Sequence, residues 1–365
     1  MTGKAGQGTQ IPGDASKGHS MSKPALAVML QQVKAVGLLS GGLDSTLAVK
    51  LMVDQGVDVT AFNYKSPFYQ SDRGGRQAVG VASGLGLPIH VEAGGEEYIR
   101  MLRKPRYGYG SGMNPCIDCR ILMLRRAKRF AEKIGAKFLF TGEVLGQRPM
   151  SQHREALRIV EKESGLEGKI LRPLSAKLLP PTEAELKGWV DREQLLSIRG
   201  RKRKPQMDLA ESLGIKDYPC PAGGCLLTEK EFVPKLQDLF SHTRRNSLQD
   251  AALLKVGRHF RLGSNKIIVG RDESENKVLS GLDKGKFTYL EVPDCGSPLT
   301  LLQGRFTKKA LVVAARLTAR YSDTREERTI VHYRRGSTSG RLEVDKMTDE
   351  ETSSLRISRN RQNSD

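Results

Sequence analysis

The stretch Ala35-Val36-Gly37-Leu38-Leu39-Ser40-Gly41-Gly42-Leu43-Asp44-Ser45 decides how this chain folds. Its first five residues are an unbroken apolar run that halts at Ser-Gly-Gly, the pattern of a strand buried on both faces of a parallel sheet. Beyond the turn, Leu47, Ala48, Leu51 and Met52 recur at helical spacing, and Gly56 closes the segment at the expected C-cap. A strand, a glycine turn and a helix in succession make an anion cradle. Gly41 and Gly42 let backbone N–H groups crowd around a phosphate with no Cβ in the way. The helix start adds free donors and the positive end of its dipole, and Ser40 and Ser45 add hydroxyls. Asp44 would repel phosphate, so its use is to hold Mg2+ against a polyphosphate. The Walker spacing GxxxxGK[ST] is absent here.

Working outward, VDVTAF (57–62) reads as a second strand, GVASGLGLPIHVEA (80–93) as a helical piece and a further strand, and KFLFTG (137–142) as another strand ending in a turn. Strands alternating with helices predict an α/β domain: a parallel sheet with helices on both faces. Between the later strands, Ile121, Leu124, Ala127, Phe130, Ala131 and Ile134 define an amphipathic helix. Arg125, Arg126, Lys128, Arg129 and Lys133 lie on or beside its outer side. The run Arg199 to Lys204 (RGRKRK) reads as a flexible surface loop, with RNA contact as the sharper alternative. From about Leu226 short strands alternate with polar turns, which predicts a smaller α+β domain. The expected division is a disordered tail over 1–32, a nucleotide-binding domain over 33–228, a second domain over 229–335 and a disordered tail over 336–365.

Composition narrows the function. Against 41 Asp+Glu stand 60 Lys+Arg, a formal net charge of +19. Such a charge favours polyanionic partners, nucleic acid foremost. No run reaches the length of a membrane span, and the first residues hold no apolar stretch fit for a secretory signal, so a cytoplasmic location and no membrane partner are expected. Of five cysteines, Cys116 and Cys119 form a CxxC pair, Cys220 and Cys225 form a second close-set pair, and Cys295 stands alone. In a reducing compartment that grouping points to a metal or redox site before structural disulfides. A CxxC at a helix start is expected to have depressed thiol pKa values, since the dipole favours thiolate.

The turn Ser40-Gly41-Gly42-Leu43-Asp44-Ser45 resembles the PP-loop of the ATP pyrophosphatase family, which cleaves ATP between the α- and β-phosphates and holds pyrophosphate in an SGGxDS loop. Three further segments sharpen that resemblance. Thr141-Gly142-Glu143-Val144-Leu145-Gly146-Gln147 with Ser151-Gln152 looks like the TGExLGQ…SQ stretch of tRNA 4-thiouridine synthetases. Asn114-Pro115-Cys116-Ile117-Asp118-Cys119 resembles the NPCxxC segment of tRNA 2-thiouridylases. Val256 to Arg261 and Ile268 to Asn276 look like the RNA-binding R domain of NFACT-type proteins.

The resemblance implies an ATP-dependent tRNA sulfurtransferase that adenylates a uridine carbonyl, releases AMP and pyrophosphate, and inserts sulfur to give thiouridine. It places ATP and Mg2+ at Ser40, Gly41, Gly42, Asp44, Ser45, Phe62, Gly142 and Gln147. Phe62 belongs to the strand end that the family sets against adenine. Asp44, Cys116 and Cys225 are the expected catalytic residues. Three chemistries remain open for the thiols. A [4Fe–4S] cluster would take Cys116, Cys119 and Cys225, the last favoured by its glycine-rich approach, with Cys220 as the alternative third ligand. A persulfide carried on Cys225 or Cys116 would be resolved by another cysteine. A structural zinc would use all four. The sulfur donor is either free sulfide or a cysteine desulfurase persulfide. The chain departs from both families. No THUMP module precedes the first strand, and neither a rhodanese domain nor a β-barrel end is evident. The competing functions are another PP-loop adenylating enzyme, such as an amidating synthetase, or an RNA-binding protein with a structural zinc site.

Overall fold

The computed structural model describes residues 33–69, 73–216, 218, 224–244, 247–282 and 285–358. The expected tail at 1–32 and Cys220 lie outside them. In chain order the first domain comprises β1 (Lys34–Leu38), α1 (Leu43–Asp54), β2 (Asp58–Lys65), α2 (Arg73–Gly84), β3 (Ile89–Ala93), α3 (Glu96–Arg103) and α4 (Cys116–Ile134). It continues through β4 (Phe138–Thr141), α5 (Arg154–Ser164), β5 (Ile170–Leu171), α6 (Glu183–Leu186) and α7 (Lys204–Ser212). The strands form one parallel sheet in the order β3-β2-β1-β4-β5.

Both sheet faces are covered, as the apolar runs require. On one, Ala48, Val49 and Met52 of α1 and Ala78 and Ala82 of α2 pack on Ala35, Ala61 and Phe140. On the other, Ile117, Ile121, Leu124, Ala127 and Ala131 of α4 and Ala156 and Val160 of α5 pack on Val36, Phe62 and Leu139. Helix α4 is longer than the expected segment: it starts at Cys116 and stops where Gly135 takes a left-handed C-cap with φ 71°. Strand order reverses between β1 and β4. In a parallel sheet that reversal opens a crevice beyond the carboxyl ends of the strands, and the Ser40 turn and the Thr141 loop both emerge there.

Two helices then join the domains: α8 (Val233–His242) and α9 (Leu248–Leu253). Leu227, Phe232, Leu236, Leu239 and Leu254 are buried against Phe68, Tyr98 and Leu102 of the first domain. Burying each large side chain is worth about 1.5–3 kcal/mol, so this segment belongs energetically with the first domain. The expected boundary at 228 therefore falls some 25 residues too early.

The second domain is a six-stranded antiparallel sheet in the order β11-β10-β8-β9-β7-β6, built from β6 (Arg258–Leu262), β7 (Asn265–Val269), β8 (Thr288–Glu291), β9 (Thr300–Gln303), β10 (Arg328–Arg335) and β11 (Thr338–Asp345). Helix α10 (Glu273–Ser280) packs Leu279 on one face. Helix α11 (Lys308–Arg320) lays Ala310, Ala314 and Leu317 on the other. The expected disorder after 336 is corrected here. Strand β11 pairs along its whole length with β10, and α12 (Asp349–Leu355) opens with a Thr348–Glu351 capping box. The stretch is polar because β11 is an edge strand with most residues in water, Val344 being its one buried side chain.

Candidate active site

The glycine turn leaves β1 and enters α1. Gly41 sits at φ 80°, and a Cβ there would lie 2.7 Å from the Ala78 backbone nitrogen, so only glycine fits. Ser45 Oγ donates to the Gly42 carbonyl at 2.8 Å, and Ser40 N donates to Ser45 Oγ at 3.2 Å. The hydroxyls thereby brace the turn. Gly42 is the N-cap and offers no side chain, which leaves first-turn N–H groups of α1 for an anion.

Asp44 is held from one side only. Gln147 Nε2 donates to Asp44 Oδ2 at 2.7 Å, while Oδ1 is buried without a hydrogen-bond partner in the protein. An orphaned carboxylate oxygen beside a phosphate cradle suits a hard divalent cation. Gly142 meets the same residue backbone to backbone: a Cβ there would lie 2.5 Å from the Asp44 carbonyl and from Ser45 N. Gly142 and Gln147 thus come together with the turn 100 residues before them, while Phe62 does not. Its ring, 1% exposed, stacks on His90 and lies against Phe130 on the α4 face. The ring therefore packs inside the domain, and at the strand end Phe62 presents backbone, its carbonyl accepting from Leu39 N.

The thiols gather at the same end of the sheet. Cys116 opens α4 and Cys119 lies one turn on. Asn114 Nδ2 donates to Cys116 Sγ at 3.1 Å and the Tyr98 hydroxyl to Cys119 Sγ at 3.4 Å. Cys225 forms an antiparallel bridge with Tyr69, just past the end of β2. Burial pushes its thiol up to about 11, and the neighbouring Cys119 and Cys116 push the same way. Burial also raises Cys119, despite the Tyr98 hydroxyl. The expectation of depressed thiols in the CxxC pair fails at Cys119, where desolvation by burial is the largest influence. Among the described residues no three His, Cys, Asp or Glu side chains converge into a metal-holding group. Cys116, Cys119 and Cys225 are neighbours without forming a cage. Cys295 stands exposed in the second domain.

One loop touches both halves of the site. Gln147 holds Asp44, the Arg148 charge draws the Cys225 thiol down, and Met150 Sδ lies 3.9 Å from the Asn114 amide that also contacts Cys116. Gln152 fixes the loop's shape, its Oε1 accepting from Arg148 N at 3.0 Å and its carbonyl from Gly146 N at 2.7 Å. Glu143 anchors the loop base. Arg172 Nε donates to its Oε2 at 3.1 Å, and Arg120 Nε lies 3.1 Å from Oε1, off the line of a hydrogen bond. Burial would raise this carboxyl, but the two guanidiniums override it and hold it below the usual range.

Two basic features prove less free than the sequence suggests. On α4, Arg126 pairs with Glu92 and Glu97, and Arg125 and Lys128 donate to the Glu163 and Gly165 carbonyls. The RGRKRK segment is pinned: Gly200 N donates to Leu145 O at 2.7 Å, and Arg203 Nη2 comes within 3.9 Å of Asp44 Oδ1. The neighbouring Gln206 Nε2 donates to Gln147 Oε1 at 3.0 Å. Sequence reasoning missed Arg203, Gln206, Arg120 and Arg172. The one available signal was the cluster of cations itself.

A glycine turn at the reversal point of a parallel sheet, with a half-free carboxylate beside it, gives the first domain the layout expected of a PP-loop domain. Comparison with known proteins agrees. Residues 30–177 match the family model described as thiamine biosynthesis protein (ThiI), and residues 257–356 match that of the NFACT protein RNA binding domain. The chain is thus similar to a ThiI domain over 30–177 and to an NFACT-type RNA-binding domain over 257–356. A probable tRNA sulfurtransferase of Caldanaerobacter subterraneus subsp. tengcongensis is 34% identical over 146 residues, 39% of this chain and 36% of that protein. A tRNA-specific 2-thiouridylase of Syntrophotalea carbinolica is 34% identical over 28% of this chain and 32% of its own length. The matches thus span about a third of these relatives. A crystal structure of a 4-thiouridine synthetase–RNA complex with bound ATP aligns over 57% of this chain and 52% of its own, at 24% identity and a TM-score of 0.33. No helix among the described residues is long and apolar enough to cross a membrane.

Proposed function

We propose that the chain is an ATP-dependent tRNA sulfurtransferase acting on a uridine. The observation that carries this reading is the loop 142–152, which contacts Asp44 of the phosphate turn through Gln147 and, through Met150, the Asn114 amide that holds Cys116. A base activated at one end of that loop is within reach of sulfur at the other.

The turn Ser40 to Ser45 receives the β- and γ-phosphates through backbone N–H groups and the α1 dipole. Mg2+ fits the orphaned Asp44 Oδ1, and when bound it neutralises charge on the triphosphate. Gln147 fixes the other carboxylate oxygen, so Asp44 keeps one orientation. A uridine carbonyl oxygen attacks the α-phosphorus, the bond to the β-phosphate breaks, and pyrophosphate leaves into the turn. Sulfide then adds at the activated carbon and AMP departs with the former oxygen. Free sulfide adds directly beside the thiols. A cysteine desulfurase persulfide instead passes its outer sulfur to Cys225 or Cys116, and that sulfur attacks the activated carbon as AMP leaves. A second cysteine thiolate then attacks the carrier's inner sulfur, forming a disulfide and releasing the thiouridine. The thiol set suits iron chemically, but Cys116, Cys119 and Cys225 do not converge among the described residues, so no step is drawn through a [4Fe–4S] cluster. Exposed Arg328, Arg334 and Arg341 on the β10–β11 hairpin suit tRNA phosphate contacts, which weaken steeply with salt.

The test separates the two halves. Purified Cys225→Ala protein with ATP, sulfide and unmodified tRNA should still form AMP and pyrophosphate yet leave tRNA hydrolysates without thiouridine by mass spectrometry. Thiouridine at the wild-type level would remove the thiols from the mechanism. Absence of AMP formation by the wild-type chain would end the reading altogether.

A further inference from the structure

We infer that Tyr69 is the platform for the uridine to be thiolated: its exposed ring stacks on the base and holds it beside Cys225. This rests on the sulfurtransferase reading above and supplies the contact to the base that such a reaction needs.

Tyr69 follows the end of β2 by four residues, so it stands at the carboxyl end of the sheet, where the crevice opens. Its backbone is fixed from several sides. Tyr69 N donates to Ser66 O at 3.2 Å, and Leu226 N donates to Phe68 O at 3.0 Å. Tyr69 itself pairs with Cys225 as an antiparallel bridge. Phe68, the preceding residue, is fully buried and packs with Tyr98 and Phe232. The segment thus drives one aromatic ring into the core and leaves the next in water at 40% exposure. A single exposed ring is ordinary. Its setting here is not.

Gly224 precedes Cys225, and a Cβ placed on it would lie 3.1 Å from Tyr69 Cζ and 3.3 Å from the hydroxyl oxygen. The ring therefore rests against the backbone that leads into the thiol, as close as a glycine allows. The exposed part of the ring is left open to a planar ligand. Cations stand at the same place. Lys255 Nζ donates to Tyr69 O at 3.3 Å, and the exposed Arg148 is close enough to Cys225 for its charge to act there. An aromatic surface with cations beside it holds an unstacked base together with its phosphate.

Stacking reads the face of a base and not its edge. Uridine, its O-adenylate and thiouridine share one planar face, so the same contact holds the base through every step. Tyr69 positions the base without choosing between its two carbonyls.

The test is thiouridine formation by the full chain, with the tRNA and ATP dependences measured separately. It is paired with photocrosslinking of the wild-type chain to tRNA transcribed with 5-iodouridine in place of uridine. Tyr69→Leu should lower kcat/KM for tRNA by about 10- to 100-fold, the scale of losing one base–aromatic stack. Its KM for ATP and its melting temperature should match the wild type. Tyr69→Phe and Tyr69→Trp, which keep a ring, should act close to the wild type. Tyr69 should be among the crosslinked residues. Wild-type kcat/KM in the Tyr69→Leu protein overturns the inference. So does a Tyr69→Phe protein as weak as Tyr69→Leu, since the hydroxyl and not the stack would then matter. Should Tyr69→Leu fail to fold, the crosslink decides: none at Tyr69, with thiouridine still formed, overturns the inference and leaves the sulfurtransferase reading standing. A wild-type chain that forms neither AMP nor thiouridine removes both.

Discussion

Two acidic side chains near the same end of the sheet are built in opposite ways. Glu143 is enclosed by Arg120 and Arg172, and Arg172 is itself tied to Glu161. Asp44 is half-buried, with one oxygen held by Gln147 and the other 3.9 Å from Arg203 Nη2, beyond hydrogen-bond reach. A buried carboxylate with guanidiniums close against both oxygens is structural, since any ligand would have to break pairs already made. A half-buried carboxylate whose second oxygen is only loosely faced keeps a place for something that is not protein. The contrast teaches which acid to assign to chemistry and which to the scaffold, without appeal to proximity alone.

The contrast can be broken, and the largest effect should come from Asp44. Asp44→Ala should lower AMP and pyrophosphate formation by about 1,000-fold or more, the scale of losing a metal-held triphosphate. Its melting temperature should stay near the wild type. A large fall in melting temperature would make Asp44 as structural as Glu143. Glu143→Gln should show the reverse, destabilising the first domain by about 3 kcal/mol in denaturant titrations because the buried Arg172 and the half-buried Arg120 lose their shared counter-charge. An unchanged unfolding midpoint would refute the assignment.

Gly142→Ala sharpens the comparison with a smaller effect. Its Cβ would fall 2.5 Å from the Asp44 carbonyl, so the turn must shift. The expected result is a rise in KM for ATP of about tenfold, from the loss of roughly 1.4 kcal/mol of binding, with the Glu143 cluster intact by thermal stability. The smallest effect is one of pH. Glu143 has its carboxyl held below the ordinary 4.5, so its contribution to stability is whole above that value and is lost as pH falls through the lowered folded value. The stability gap between wild type and Glu143→Gln should therefore narrow on going from neutral pH to about pH 3. A gap that widens in acid would reverse the sign of the argument.

The difference between these acids also shows how far the sequence could be read. Asp44 was legible, because strand, glycine turn and helix are contiguous and a lone acid among phosphate donors has few other uses. Gly142 and Gln147 were reached only through resemblance to another family's loop. The clamp on Glu143 was invisible: its partners lie 23 residues before it and 29 after, and nothing local marks them. The packing of the Phe62 ring was not legible because both faces of β2 are buried, so apolar character carries no sign of which face a ring takes. Strand β11 was missed for the opposite reason, as a wet edge strand reads like a tail. Arg203 was taken for part of a loose basic run because charge runs usually are solvated, and the run's tie to Leu145 is a backbone bond from Gly200 N that no side chain announces.

The contact of Gly142 with Asp44 and Ser45 has one more consequence. Two chain segments that meet main chain to main chain, with no side chain between them, have no slack. A shift of either segment has to be taken up by the other, and the second runs on to Met150, beside the Asn114 amide that holds Cys116.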